Sequence, residues 1–408
     1  MIQKPRRNLN NFKSPKRGFL LAFGELFLKS EGVRKILKRS LANHLIFFLN
    51  KEEVGFKLHQ FRERFFIEIY PASFYKTKRC WAENFKKASK IIQNTFGLAW
   101  FSQTFFLKNG NLKDLSQFIK NNYQNWIKEN QTFALRIRKG GEIKESREEI
   151  IKEIAKRINR KVNLDKPNKE IFIEGRKDGW FVYFKKQKGL GGLPMGSQGR
   201  VITLFSGGID SPAAAWLTTK RGAENIWLHF HSFPLVSKKS IEKTEELAKI
   251  FINYQPKLKV YYISFHKIQL QIKTKAPAKY RVLLYRRVML KIAEKIAGKE
   301  NCGALITGES LGQVSSQTMT NLGIIEESVK MPVLRPLIGL DKEEIIALAK
   351  KIGTYEISIK PQEDCCSLFV PKHPTASGKL EIVKKLEKKI NLDKLIQKTL
   401  KQTKMEFF

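Results

Sequence analysis

The sequence predicts a multidomain protein of mixed α/β and α+β class, and three observations carry that reading. From residue 201 onward short apolar runs alternate with amphipathic helical periods, the pattern of a parallel sheet with helices on both faces. Before residue 188 strands and helices mix without that regularity, as in small α+β modules. Between the two, KKQKGLGGLPMGSQGR, residues 185–200, holds five glycines and a proline without apolar periodicity and reads as a linker. Domain ranges of 1–80, 81–187 and 188–408 follow.

The 408 residues leave room for two or three domains and a sizeable core. With 77 Lys and Arg against 38 Asp and Glu, the formal charge is +39. Such a surplus favours a polyanionic partner, nucleic acid before an anionic membrane surface, against the plainer reading of a lysine-rich solvated surface. No apolar run reaches the ~18 residues of a membrane-spanning helix, and the basic first 17 residues lack the apolar stretch of a signal peptide, so a cytoplasmic protein is expected. Four cysteines make no disulfide scaffold. Cys80 and Cys302 stand alone and read as small buried groups, whereas Cys365 and Cys366 are adjacent and follow Pro361-Gln362-Glu363-Asp364.

Residues 1–50 carry eleven basic and two acidic side chains, a plausible front for RNA. GFLLAF reads as a strand, Val33, Ile36, Leu37 and Leu41 as a helical stripe, and Leu45 to Leu49 and Arg64 to Tyr70 as further strands. A helix is expected from Leu112 to Glu129, a strand from Thr132 to Arg138, a helix from Ser146 to Asn159, and a strand pair at Glu170–Glu174 and Gly179–Phe184. Alternation in the Thr132 strand places Arg136 and Arg138 on one face with Ala134, either as an RNA contact or as an ordinary solvated face.

The centre of the second half is Val201 to Leu217, VITLFSGGIDSPAAAWL. Val201 to Phe205 is an apolar β-rich run, Ser206-Gly207-Gly208-Ile209-Asp210 a turn, and Ser211 and Pro212 are expected as N-cap and first helical residue. Amides converging on a helix N-terminus, with two glycines permitting close approach, favour an anion such as phosphate. The string lacks the lysine of a GxxxxGK[ST] loop. Strands follow at Ile226–His231, Val260–Ser264, Ala304–Thr307 and Met331–Ile338. His229 and His231 share a strand face but no third ligand is spaced to join them, so no resident metal site is expected. Arg286 falls on the polar side of the helix opened by Tyr285. Asp341 caps a further helix, with Glu344 as its capping-box partner and Gly353 as its stop, and Lys342 lies in its first turn.

SGGIDSP resembles the PP-loop of ATP pyrophosphatases, which bind ATP, release pyrophosphate and leave AMP on the substrate. GELFLKSEGVR, GLGGLPMG, SGGIDSP, HFHS, TGESLGQVSSQT, RPLIGLDKEEI and IGTYEISIKPQEDCC stand here in the order of the tRNA 4-thiouridine synthetases, or tRNA sulfurtransferases. The resemblance covers nearly the whole chain and is strongest over residues 185–370. It implies a ferredoxin-like N-terminal domain, a THUMP RNA-binding domain carrying Arg136 and Arg138, and a C-terminal PP-loop domain with a Rossmann-like parallel sheet.

The implied reaction is adenylation of the uridine at tRNA position eight, then replacement of its C4 oxygen by persulfide sulfur. Leu204, Phe205, Ser206, Gly207, Gly208, Asp210, Ser211, His229, Phe230, Arg286, Gly308 and Gln317 match nucleotide positions. Asp210 and Lys342 match catalytic positions, and Cys365 matches the sulfur-carrying cysteine, with Cys366 open as a resolving thiol or core residue. Magnesium is expected only with ATP. Implied partners are tRNA, a cysteine desulfurase as persulfide donor and, through the thiamine branch of some relatives, a ThiS-like sulfur carrier; a homodimer is the expected assembly. Many relatives end in a rhodanese domain, in place of which a lysine-rich helical tail is expected here. Two other readings stay open, a PP-loop adenylating enzyme for another tRNA base or a small molecule, and a tRNA-binding or sulfur-relay protein without turnover.

Overall fold

Strand pairing organises both halves of the chain. The computed structural model describes residues 15–70, 81–361, 368–369 and 374–408. Among these, residues up to 30 with 45–191 form one unit, and residues 31–44 with 192–408 form another. The predicted cysteines Cys80, Cys365 and Cys366 lie outside the described residues.

The first stretch runs β1 (Lys16–Phe23), α1 (Glu31–Lys51), β2 (Phe56–Gln60), β3 (Arg64–Ile69), α2 (Trp81–Gln93) and β4 (Leu98–Lys108). Its strands lie in the order β2-β3-β1-β4 and are all antiparallel, the ferredoxin-like βαββαβ arrangement. A boundary after residue 80 therefore falls inside this run, since α2 and β4 complete its sheet. Leu45 to Leu49, expected as a strand, belongs to α1 instead. Leu37, Leu41, Leu45, Phe48 and Leu49 are buried, a spacing of three and four residues. Val33 and Ile36 of the predicted stripe are exposed.

The chain continues with α3 (Leu112–Trp126), β5 (Phe133–Lys139), α4 (Arg147–Ala155), β6 (Lys169–Arg176), β7 (Gly179–Tyr183) and the two-residue β8 (Gln187–Lys188). β4 pairs with β7, so one continuous sheet runs β2-β3-β1-β4-β7-β6-β5, with β8 beside β4. Leu115, Phe118 and Ile119 of α3 and Ile150 and Ile154 of α4 form one core with Phe133, Ile171, Ile173 and Val182 of the strands. Arg136 and Arg138 alternate with Leu135 and Ile137, which pack against that core.

In the second unit come β9 (Arg200–Leu204), α5 (Asp210–Lys220), β10 (Glu224–His231), α6 (Lys239–Phe251), β11 (Lys259–Ser264), α7 (His266–Lys275), α8 (Arg281–Lys299) and β12 (Cys302–Ile306). They are followed by α9 (Met319–Glu326), β13 (Val333–Leu334), α10 (Lys342–Ile352), α11 (Tyr355–Ser358), α12 (Leu380–Ile390), α13 (Leu392–Lys401) and β14 (Lys404–Phe407). The sheet order is β13-β12-β9-β10-β11-β14, parallel throughout except for β14. The lysine-rich end is thus not only helical: its last strand closes the β11 edge, with Leu258 and Phe408 exchanging backbone bonds at 3.1 and 2.9 Å.

One face of this sheet buries Ile202, Leu228 and Ile263 under Leu284, Val288 and Ile292 of α8 and Val383 and Ile396 of the last two helices. The other buries Val201, Ala304 and Ile306 under Ala213 and Ala214 of α5 and Ile345 of α10. Arg287, 2 % exposed, ties α8 to α12 through Glu387 at 2.9 and 3.0 Å and to Glu327 at 3.0 Å. That anchoring fixes the helix carrying Arg286. No helix among the described residues is long and apolar enough to cross a membrane.

Candidate functional site

A sheet whose chain runs outward from β9 to β11 and then returns to β12 on the other side has its crevice at the carboxyl ends of β9 and β12. The residues following those two strands meet there. Leu204 at the end of β9 with Phe205, Ser206, Asp210 and Ser211 after it, Thr307, Gly308 and Glu309 after β12, and Phe230, Arg286 and Gln317 line a cavity of about 350 Å³.

Two glycines make the close approach possible. Gly207 turns the loop at φ 79°, a left-handed conformation that side chains disfavour. At Gly308 a Cβ would stand 2.9 Å from the Asp210 carbonyl carbon and 3.0 Å from the Ser211 nitrogen, so the β12 loop packs directly on the start of α5. That start differs from expectation. α5 begins at Asp210 with Ile209 as a cap that makes no side-chain bond, and Ser211 and Pro212 lie within its first turn. The Ser211 hydroxyl turns back to accept from the amides of Ser206 and Gly207 at 3.2 and 3.3 Å, long bonds that hold the loop around the helix N-terminus.

Lys342 reaches this place from far along the chain. Asp341 caps α10 through a capping box with Glu344, both bonds 2.9–3.0 Å, and Gly353 ends the helix at φ 87°. The first helical residue is therefore Lys342, whose Nζ lies 2.7 Å from Asp210 Oδ1. Gln313 Nε2 donates to Asp210 Oδ2 at 3.3 Å. The carboxylate is shared between a cation and an amide at the cavity wall.

Of the residues matched to nucleotide positions, Gly207, Gly208 and His229 do not line the cavity. His229 is 1 % exposed and sits behind the loop, with Nδ1 2.9 Å from the Phe205 carbonyl oxygen and Nε2 3.3 Å from Ser240 Oγ. Burial pushes its imidazole down to about 4, partly offset by the Phe205 carbonyl. The folded value lies below the ordinary 6.5, so its stabilising contribution is complete above pH 6.5 and is lost as pH falls toward 4. Thermal melting is expected to drop across that window, with His229 responsible for on the order of 3 kcal/mol. In His229→Gln the acid-side fall should be shallower; an unchanged slope would contradict a neutral buried imidazole. Among the described residues no group of three His, Cys, Asp or Glu able to hold a metal ion occurs.

Glu309 and Gln313 were not legible from spacing. The available signal for Glu309 was an acidic residue in the GES loop of an otherwise anion-attracting edge. Arg136 and Arg138 lie in the other unit. Arg136 Nε pairs with Glu170 at 2.7 Å, while Arg138, 58 % exposed, has among the described residues a looser ion pair with Glu63 at 3.7 Å.

A parallel sheet with a glycine turn, a helix-start carboxylate and a convergent lysine and arginine at its switch point defines a PP-loop nucleotide-binding fold, here following a THUMP-containing unit. The family model described as thiamine biosynthesis protein (ThiI) matches residues 196–392, and the THUMP domain model matches residues 110–185. A "Probable tRNA sulfurtransferase" of Caldanaerobacter subterraneus subsp. tengcongensis is 37 % identical over 385 residues, covering 92 % of this chain and 96 % of the relative. Another, of Thermoanaerobacter sp. (strain X514), is 49 % identical over 238 residues, 58 % of this chain and 62 % of the relative; that match thus spans less than two thirds of the relative's length. A crystal structure of a 4-thiouridine synthetase–RNA complex with bound ATP superposes with a TM-score of 0.82 at 31 % identity, covering 96 % of this chain and all of that one. The chain belongs to the tRNA sulfurtransferase family.

Proposed function

We propose that the protein is an ATP-dependent tRNA sulfurtransferase that converts the uridine at position eight to 4-thiouridine. The observation that carries this reading is the Asp210–Lys342 pair at the mouth of the switch-point cavity, in a chain 37 % identical along almost its whole length to a named sulfurtransferase. The proposed domains are a ferredoxin-like module with a basic tail, running through β4 and so past residue 80, then a THUMP module and a PP-loop module.

Uracil's C4 oxygen is a poor leaving group, and transfer to the α-phosphorus of ATP with loss of pyrophosphate makes it one. Arg286 and Lys342 would offset charge on the phosphates. Asp210 offers one carboxylate, which suits magnesium arriving with ATP, since that ion takes one or two protein carboxylates and completes its shell with phosphate oxygens and water. The terminal sulfur of a persulfide on Cys365 then attacks C4, AMP leaves with the oxygen, and a disulfide joins Cys365 to the base. A second thiol, Cys366 or an external one, attacks the Cys365 sulfur and frees the thiocarbonyl. The persulfide would come from a cysteine desulfurase. A ThiS-like carrier, a homodimer and a cytoplasmic location complete the proposal.

The reaction is tested by following AMP and pyrophosphate with purified protein. Both should form in step and only with unmodified tRNA present; ATP turnover indifferent to tRNA would contradict it. RNA binding has its own test. Binding should weaken linearly in log–log form with salt, and Arg138→Ala should lower the slope by about one. Arg136→Ala should change it less, because Glu170 already engages that guanidinium. Equal slopes for all three proteins would remove this strand from the RNA surface.

A further inference from the structure

Within the cavity a carboxylate stands where phosphate is expected, and its partners explain why. Glu309 is 5 % exposed and lies three residues beyond the end of β12. Its Oε1 accepts from Arg286 Nη1, and its Oε2 accepts from Arg335 Nε at 2.8 Å and from Thr307 Oγ1 at 2.9 Å. Arg335 arrives from just beyond β13 and is held on its other side by Glu326 at 2.7 Å. A buried carboxylate with two guanidinium partners and a hydroxyl has both oxygens engaged, and like charge would keep it off a phosphate. Arg286 Nε and Arg335 Nη2, by contrast, are buried without a hydrogen-bond partner among the described residues. The arrangement leaves donors of two arginines unused while a single carboxylate fixes their spacing and relieves their mutual repulsion.

We infer that Glu309 is a positioning residue, clamped by Arg335 and Thr307, that sets Arg286 in the orientation needed to receive the nucleotide. The inference rests on the ATP reading of the cavity. An unheld arginine would sample many rotamers and lose them on binding; one held by a buried charged hydrogen bond has already lost them. Removing the carboxylate's charge therefore weakens ATP binding through Arg286 and leaves the chemical step nearly as fast.

The test is a double-substitution cycle on the full chain, with tRNA saturating and ATP varied. Glu309→Gln is expected to raise KM for ATP about tenfold, the worth of one charge-assisted hydrogen bond, with kcat changed less than threefold. In an Arg286→Met background the same substitution should change KM less than twofold. Should Glu309→Gln melt far below the parent, Arg335→Gln tests the same clamp from its other end, with about a threefold rise in KM that also vanishes with Arg286→Met. Effects that add across the cycle, or an unchanged KM, overturn the positioning role while the parent's saturation by ATP still stands. A parent that never saturates with ATP overturns the reading of the cavity itself.

Discussion

Asp210→Asn should abolish ATP-dependent thiolation, lowering the rate by at least a hundredfold, while leaving tRNA affinity and melting temperature nearly unchanged. The size follows from what the carboxylate does. It is the single acidic group facing the cavity from the start of α5, and it is bonded to Lys342 at 2.7 Å and Gln313 at 3.3 Å. Neutralising it removes the carboxylate proposed for magnesium and releases the lysine from its place, and electrostatic contributions of this kind are each worth two to three powers of ten in rate. The small effect on stability follows from exposure. Lys342 is 43 % and Asp210 24 % exposed, and ion pairs so open to solvent contribute about 0–1 kcal/mol. Asparagine keeps the shape of the loop. Turnover within tenfold of the parent would remove Asp210 from the chemistry.

Cys365→Ser should eliminate 4-thiouridine formation while tRNA-dependent pyrophosphate release persists. The proposed adenylation uses the cavity at β9 and β12, and Cys302, the one described cysteine, does not line it. Sulfur transfer needs a thiolate, and the one described cysteine is a poor source of it. Cys302 is buried, and burial together with the neighbouring Glu300 pushes its thiol up to about 11. Incubation with a desulfurase and cysteine, digestion and mass spectrometry should therefore place the extra sulfur on Cys365. Finding it on Cys302 or Cys80, or full thiolation by Cys365→Ser, would contradict the choice of nucleophile. Cys366→Ser should slow repeated turnover more than the first round if it is the resolving thiol.

What could be read from sequence was what local chemistry determines. Strand, glycine turn and helix lie within seventeen residues around SGGIDSP, and the Asp341–Glu344 box fixes its own helix start, so both were legible. Asp210 meeting Lys342 was not, because 132 residues separate them and the parallel sheet brings them together. Glu309 was missed for the same reason: its meaning lies in arginines 23 positions before it and 26 after it. Leu45-Ile46-Phe47-Phe48-Leu49 is a five-residue apolar run that fits a strand, and only its continuity with the Leu37 and Leu41 stripe makes it helix. β14 left no local signal, since Lys404–Phe407 is exposed throughout and becomes a strand through its pairing with β11. The Ser211 cap was misplaced because its hydroxyl serves the loop amides and not the helix.

The most direct measurement is nucleoside mass spectrometry of unmodified tRNA incubated with the protein, ATP, magnesium and a persulfide donor. The proposed function predicts 4-thiouridine at position eight, absent when ATP is omitted and absent with Asp210→Asn. Sulfur at another base, or tRNA that binds with ATP present and stays unmodified, would contradict it.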